Sequence, residues 1–216
     1  MLIYPILASL CIGGGLLIRP ASCAKMMLFD FTKPDAEQRL QSWHESSDTV
    51  REVGQSKATL VLQRTQLFQR AVFFALLNPQ PNGAGFAGVR TAVAWDLRGR
   101  RELCLRYRAR GQLERYKLVL RHRGQHSNDD VEYEQIFRVR NEPESMGEFR
   151  EARLALADFK PYWRGREQPQ APPLDLEHVS MIGLQVFGGV YMDYKQSGVG
   201  SMEIDAIWAD EADDSN

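Results

Sequence analysis

The chain has 216 residues, 27 Lys and Arg against 28 Asp and Glu, and a formal charge of −1. That length suits one domain with mass left for a terminal extension, and the near-balance of charge gives no whole-chain attraction to nucleic acid or to an anionic membrane. Three cysteines, Cys11, Cys23 and Cys104, offer no disulfide framework, because two of them fall in the N-terminal segment.

From Leu2 to Ile18 no side chain is charged, and the run is too short and too interrupted by glycine to read as a membrane span. It reads as the apolar stretch of a signal peptide, with Ser22 and Ala24 as the small residues before a cut at Lys25; an uncleaved anchor is the alternative. Residues 1–24 are therefore expected to be a leader, which places the protein in the secretory pathway or on a membrane through that segment alone. Residues 28–208 are expected to form one domain, and residues 209–216 an acidic, disordered tail.

After Phe29 and Phe31, which alternate with Asp30, the chain becomes helix-compatible through Pro34 to Leu40, with Pro34 able to open the helix. Beyond this helix the chain is a series of short runs with period-two alternation. The clearest is Glu102 to Arg110, where Leu103, Leu105, Tyr107 and Ala109 alternate with Arg106, Arg108 and Arg110. Eight further strands are read at Ala58–Gln63, Gln69–Leu77, Phe86–Val93, Tyr116–His122, Tyr133–Val139, Phe149–Leu156, Val179–Phe187 and Ser201–Trp208. Turn residues punctuate them at 78–83, 98–99, 110–111, 127–130 and 188–189, and the proline-rich stretch Pro161 to Pro173 reads as a surface connection. Many short strands with almost no helix predict an all-β fold: a two-sheet antiparallel β-sandwich or jelly roll.

The string Gly83-Ala84-Gly85-Phe86-Ala87-Gly88 matches a dinucleotide-binding fingerprint, but a Pro/Asn turn precedes it and a β-prone segment comes after it. Without a helix N-terminus to hold a pyrophosphate, the glycines read as devices for a tight turn and close strand packing, and no cofactor is expected. The arginines between Arg98 and Arg123 read first as the solvated face of a one-sided sheet, and secondly as a face that docks an acidic protein. Aromatics interleaved with them are limited to Tyr107 and Tyr116, too few for stacking bases, so nucleic acid is not expected. His44, His122, His126 and His178 are scattered, and Cys104 has no evident base. No catalytic constellation or metal-binding pattern emerges, and the protein is read as a binding protein and not an enzyme.

The order of short motifs resembles the complex I intermediate-associated protein 30 family. The pieces are Trp43 with Ser47-Asp48 and Gly54-Gln55-Ser56; Gly85 to Arg90; Asp96-Leu97 leading to Leu103-Cys104-Leu105-Arg106; Tyr116; Tyr133 to Phe137; Asp158 to Pro161 with Arg164-Gly165; Ile182-Gly183-Leu184; and Gly200 to Ile207. The sequence departs from the family where Val53-Gly54 replaces a glycine pair and where Arg110-Gly111-Gln112 replaces an Arg-Gly-Asp-Gly turn. The resemblance implies a galactose-binding-like β-sandwich and a chaperone-like assembly factor that holds a partly assembled protein partner, for the best-known members in respiratory complex I assembly in mitochondria. The alternative is a secreted or lumenal carbohydrate-binding, lectin-like module. Trp43, Asp48, Arg90, Trp163 and Arg164 are the residues expected to contact a ligand or partner. Trp43, Phe86 and Trp208 also suit core filling, whereas Trp163 sits in a loop, where side chains more often serve recognition.

Overall fold

The computed structural model describes residues 25–81, 85–139 and 148–211; residues 1–24, expected to be a leader, and 212–216 of the expected tail lie outside them. Thirteen strands occur among the described residues: β1 Met26–Asp30, β2 His44–Ser47, β3 Lys57–Arg64, β4 Gln69–Leu77, β5 Phe86–Trp95, β6 Glu102–Gly111, β7 Arg115–His122, β8 Glu132–Arg138, β9 Arg150–Ala155, β10 Lys160–Trp163, β11 Arg166–Glu167, β12 Val179–Phe187 and β13 Gly198–Asp210. One α-helix, α1, spans Ala36–Leu40. No helix among the described residues is long and apolar enough to cross a membrane.

The strands form two antiparallel sheets. One has the order β3-β4-β13-β6-β9 with β1 also paired to β13, and the other the order β11-β10-β8-β7-β12-β5-β2. This is the expected β-sandwich. The nine strands read from the sequence all occur; β1, β2 and the short β10–β11 hairpin add to them, and β13 runs past Trp208 to Asp210. These additions were hidden for physical reasons. β2 has the composition His-Glu-Ser-Ser, with no apolar alternation to announce it, and it exists because its backbone pairs with β5 from Arg90 to Ala87. The hairpin lies inside the proline-rich stretch that reads as a loop. Pro161 is tolerated there because β10 is short and lies near the edge of its sheet.

The two sheets close on a core of alternating apolar residues, among them Phe73, Leu105, Leu118 and Ile182, each at most 1% exposed. Gly88 faces β12, and a Cβ there would lie 2.7 Å from the carbonyl oxygen of Leu184. That glycine therefore serves close strand packing, as its β-prone surroundings suggested.

Candidate functional site

β7 reads Arg-Tyr-Lys-Leu-Val-Leu-Arg-His, and alternation sends Tyr116, Leu118 and Leu120 into the core and Lys117, Val119 and Arg121 to the opposite face. On a one-sided sheet those polar residues would be solvated. Here Lys117 and Arg121 are buried, because loops rise around this face and turn it into the floor of a cleft of about 770 Å³.

Register assembles the floor. Val119 lies opposite Glu134 on β8, and Gln185 of β12 lies opposite Lys117. Lys117 Nζ donates to Glu134 at 2.5 Å and lies 3.9 Å from Glu132, while Arg121 donates to Glu132 at 3.1 Å. Burial disfavours the charged form of Glu134 and pushes its carboxyl up to about 7, with the attraction of Lys117 opposing and the neighbouring Glu132 reinforcing the shift. Glu132 goes the other way: burial raises it, but Lys117, the hydrogen bond with Glu134 and Arg121 together hold it below the usual carboxylate range. The floor is a compact two-acid, two-base cluster in which every charge has a partner.

Three loops build the walls. The first joins β2 to β3 and carries Val50 and Arg51. Asp48 anchors it: fully buried, it accepts hydrogen bonds from Ser56 N at 2.9 Å, Ser56 Oγ at 2.7 Å and Phe86 N at 3.3 Å. A Cβ at position 54 would sit 2.0 Å from the Asp48 carbonyl oxygen, so only glycine lets the loop fold back over it. The Ser-Asp and Gly-Gln-Ser pieces of the sequence are thus one structural clasp.

The second wall is the β10–β11 hairpin. Its turn residues Arg164 and Gly165 both have positive φ, 51° and 77°, the signature of a two-residue turn that matches the twist of a hairpin. Trp163 Nε1 donates to the Asp129 carbonyl at 3.2 Å, and Arg164 meets the Asp129 carboxylate at 2.7 Å while lying over the Trp163 ring. The third wall, residues 188–195 between β12 and β13, is held by Lys195. Its ammonium donates to the carbonyls of Gly189, Val190 and Met192 at 2.5, 3.3 and 2.6 Å. This loop presents Tyr191, 57% exposed, against the hairpin, where Arg166 lies over its ring; Trp163 is 40% exposed. Both rings and Phe86 line the cleft.

The five residues expected to touch a ligand separate into three places. Trp163 and Arg164 line the cleft. Arg90 is on the same sheet face and backs the wall by donating to Asn128 Oδ1 at 2.8 Å. Asp48 and Trp43 are corrected by the structure. Asp48 has no exposed surface and spends its oxygens on the clasp. Trp43 packs against the core and the Phe29 ring, 5.3 Å between centroids, away from the cleft. Sequence reading missed Lys117, Glu132, Glu134, Gln185 and Tyr191. The two acids stand two apart on β8, a spacing that puts both on one face, and this was the available signal.

Elsewhere, burial pushes the Cys104 thiol up to about 12, which leaves it protonated and inert. His122 is buried, and its Nδ1 accepts from Asp175 N at 2.7 Å, so it serves the fold as a neutral ring. No group of three or more His, Cys, Asp or Glu side chains poised for a metal occurs among the described residues.

Comparison with known proteins bears on both fold and family. The family model for complex I intermediate-associated protein 30 matches residues 29–204. The solved structures similar to the chain include the family 11 carbohydrate-binding module from Clostridium thermocellum in complex with a β-1,3-1,4-mixed-linked tetrasaccharide, at 12% identity and a TM-score of 0.62, covering 89% of this chain and 98% of that one. They also include the family 30 carbohydrate-binding module of a cellulosomal cellulase of the same organism, at 9% identity and a TM-score of 0.52, covering 89% and 99%. At such identities the likeness establishes the β-sandwich alone. Among curated proteins, none matches the chain in sequence.

Proposed function

Since the chain belongs to the complex I intermediate-associated protein 30 family, we propose that it works by holding a partner without transforming it, and that the cleft on the seven-stranded sheet takes a carbohydrate chain. The observation that carries this reading is that two exposed rings, Trp163 and Tyr191, line one cleft above a polar floor. Sugars are bound by apolar C–H faces laid on aromatic rings and by hydroxyls bonded to charged and amide groups, and this cleft supplies both kinds of surface. Gln185, Lys117 and Glu132 on the floor, with Arg51, Arg164 and Arg166 on the walls, offer donors and acceptors at several depths. Carbohydrate-binding modules with the same sandwich give the reading further support. The floor acids are neutralised by Lys117 and Arg121, an arrangement suited to recognition and poorly suited to a free acid and base flanking a bond.

Family membership favours a second reading, an assembly factor whose ligand is a partly assembled protein, in respiratory complex I for the mitochondrial case. The two readings separate on one experiment. The full chain and a Trp163→Ala, Tyr191→Ala variant are titrated calorimetrically with mixed-linked glucan oligosaccharides and screened on a glycan array. Saturable binding that weakens about tenfold or more in the variant supports the carbohydrate reading, since a lost stacking contact costs about 1–1.5 kcal/mol. No glycan bound, together with respiratory-complex subunits co-purifying from mitochondria with the wild type and not with the variant, would decide for the assembly factor.

A further inference from the structure

We propose that the outer face of the six-stranded sheet is a second docking surface, one that takes a partner polypeptide presenting apolar side chains beside a carboxylate. This surface is separate from the cleft, and its assignment stands whichever ligand the cleft holds.

Arg106, Arg108 and Arg110 alternate along β6 and share the outward face of that strand. Inward-facing neighbours cannot neutralise them, so the adjacent strands of the sheet supply the acids. Glu203 of β13, opposite Arg108, accepts from Arg108 at 2.6 Å and from Arg70 of β4 at 2.7 Å, and Asp205 lies 3.3 Å from Arg106. The stripe is self-neutralised along most of its length. Arg110 is different: it is exposed, and the residue opposite it on β13 is Ser201. Among the described residues no carboxylate pairs with it.

Beside this unbalanced charge the same face is apolar. Leu76 lies between Val199 and Lys57, and Phe74 between Ser201 and Thr59, in adjacent rows across β3, β4 and β13. Phe74, Leu76 and Val199 are 47%, 44% and 54% exposed. They line a shallow groove of about 620 Å³ whose charged lining residues are Lys57 and Arg110, with no acid among them. Scattered exposed apolar residues need no explanation, but a contiguous strip of them rimmed by polar residues marks an interaction surface.

The chemistry of the groove selects its occupant. Lys57 already meets Glu45 at 3.4 Å, so Arg110 is the cation that calls for a carboxylate, and an apolar strip calls for apolar side chains; a polypeptide segment carries both. A sugar would find few hydrogen-bonding groups here beyond Thr59 and Ser201. A second copy of this chain is disfavoured, because a two-fold contact through this face would set Arg110 near its own copy, with no acid in the groove lining to receive it.

The test uses NMR amide shifts of the full chain titrated with two synthetic peptides, one alternating leucine with aspartate and the other leucine with lysine. The acidic peptide is expected to bind about tenfold more tightly and to shift residues 57–61, 72–76, 109–111 and 199–201. Arg110→Glu should reverse the preference, and Leu76→Asp should weaken both peptides; each side chain is exposed, so both variants should fold, as the unperturbed remainder of the spectrum will show. Equal binding of the two peptides, or shifts located elsewhere, would overturn the proposal. So would cosedimentation with phosphatidylcholine–phosphatidylglycerol vesicles that Arg110→Glu abolishes, which would make the partner a membrane. Concentration-dependent dimerisation lost in Leu76→Asp would make it a second copy and equally overturn the assignment.

Discussion

The two sheets of this sandwich carry similar charged alternation on their outward faces and put it to different ends. On the seven-stranded sheet, Lys117 and Glu134 have side chains only 8% and 3% exposed, because three loops wall them in. On the six-stranded sheet, Arg108 and Glu203 keep 21% and 16% exposure. The effect on the acids is opposite in sign. Glu134 is driven up to about 7 by burial despite its lysine. Burial also works against Glu203, but hydrogen bonds from Arg108 and Arg70 outweigh it and hold that carboxyl below the usual range. Ion pairing and burial compete, and the loops above a sheet decide the winner.

The sharpest way to break the comparison is to remove the cation from each cluster. Lys117→Met leaves Glu134 buried without a cation, while Glu132 keeps Arg121, and should cost about 3–5 kcal/mol. Arg108→Met leaves Glu203 with Arg70 and partial solvation, and should cost about 1 kcal/mol or less. Urea unfolding at neutral pH measures both, and equal losses would show that the loops do not seal the cleft floor.

Next in size is the clasp. Asp48→Ala leaves Ser56 N, Ser56 Oγ and Phe86 N without their acceptor and should cost about 3 kcal/mol. Because the clasp aligns the first wall with the start of β5, ligand affinity at the cleft should also fall in this variant, while peptide binding on the outer face stays unchanged. A loss on both faces would make Asp48 a support of the whole fold.

Smaller than the clasp effect is a pH dependence, and linkage sets its sign. Glu134 titrates in the folded state above its ordinary range, so its contribution to stability is fully present at pH values below that range. The contribution is lost as pH rises from there through about 7. Glu203 is held low, so its contribution is present at neutral pH and is lost only as pH falls through its depressed value. The wild type should therefore lose about 2 kcal/mol between pH 5 and pH 8, and Glu134→Gln, which stays neutral, should remove that loss. Carboxyl carbon shifts should place the Glu134 midpoint near 7; a midpoint in the ordinary carboxylate range would mean that the cleft floor is wet.

Much of the frame was legible in the chain itself. The alternation of Leu103, Leu105 and Tyr107 against Arg106 and Arg108 located β6, and the turn residues Arg110-Gly111 and Arg164-Gly165 marked places where φ is positive, at Gly111, Arg164 and Gly165. Trp163 could be singled out because it stands in a proline-rich stretch, where packing makes few demands, and the structure places it in the lining of the cleft. Reading Asp48 as a ligand contact was an error of a specific kind: an acid in a loop looks available until its backbone partners, Ser56 and Phe86, are known.

What the sequence by itself determined is the sandwich, because period-two alternation and turn chemistry act over a few residues and specify strands and their inward faces. Only the tertiary structure decided the site. Lys117 meets Glu134 across strand register, Tyr191 meets Arg166 from a loop held by Lys195, and β2 owes its existence to β5, all contacts between residues distant along the chain. The same structure decided which polar residues of an alternating strand are solvated and which are buried. Alternation names a face but not what covers it, and here the covering comes from loops that local pattern does not encode.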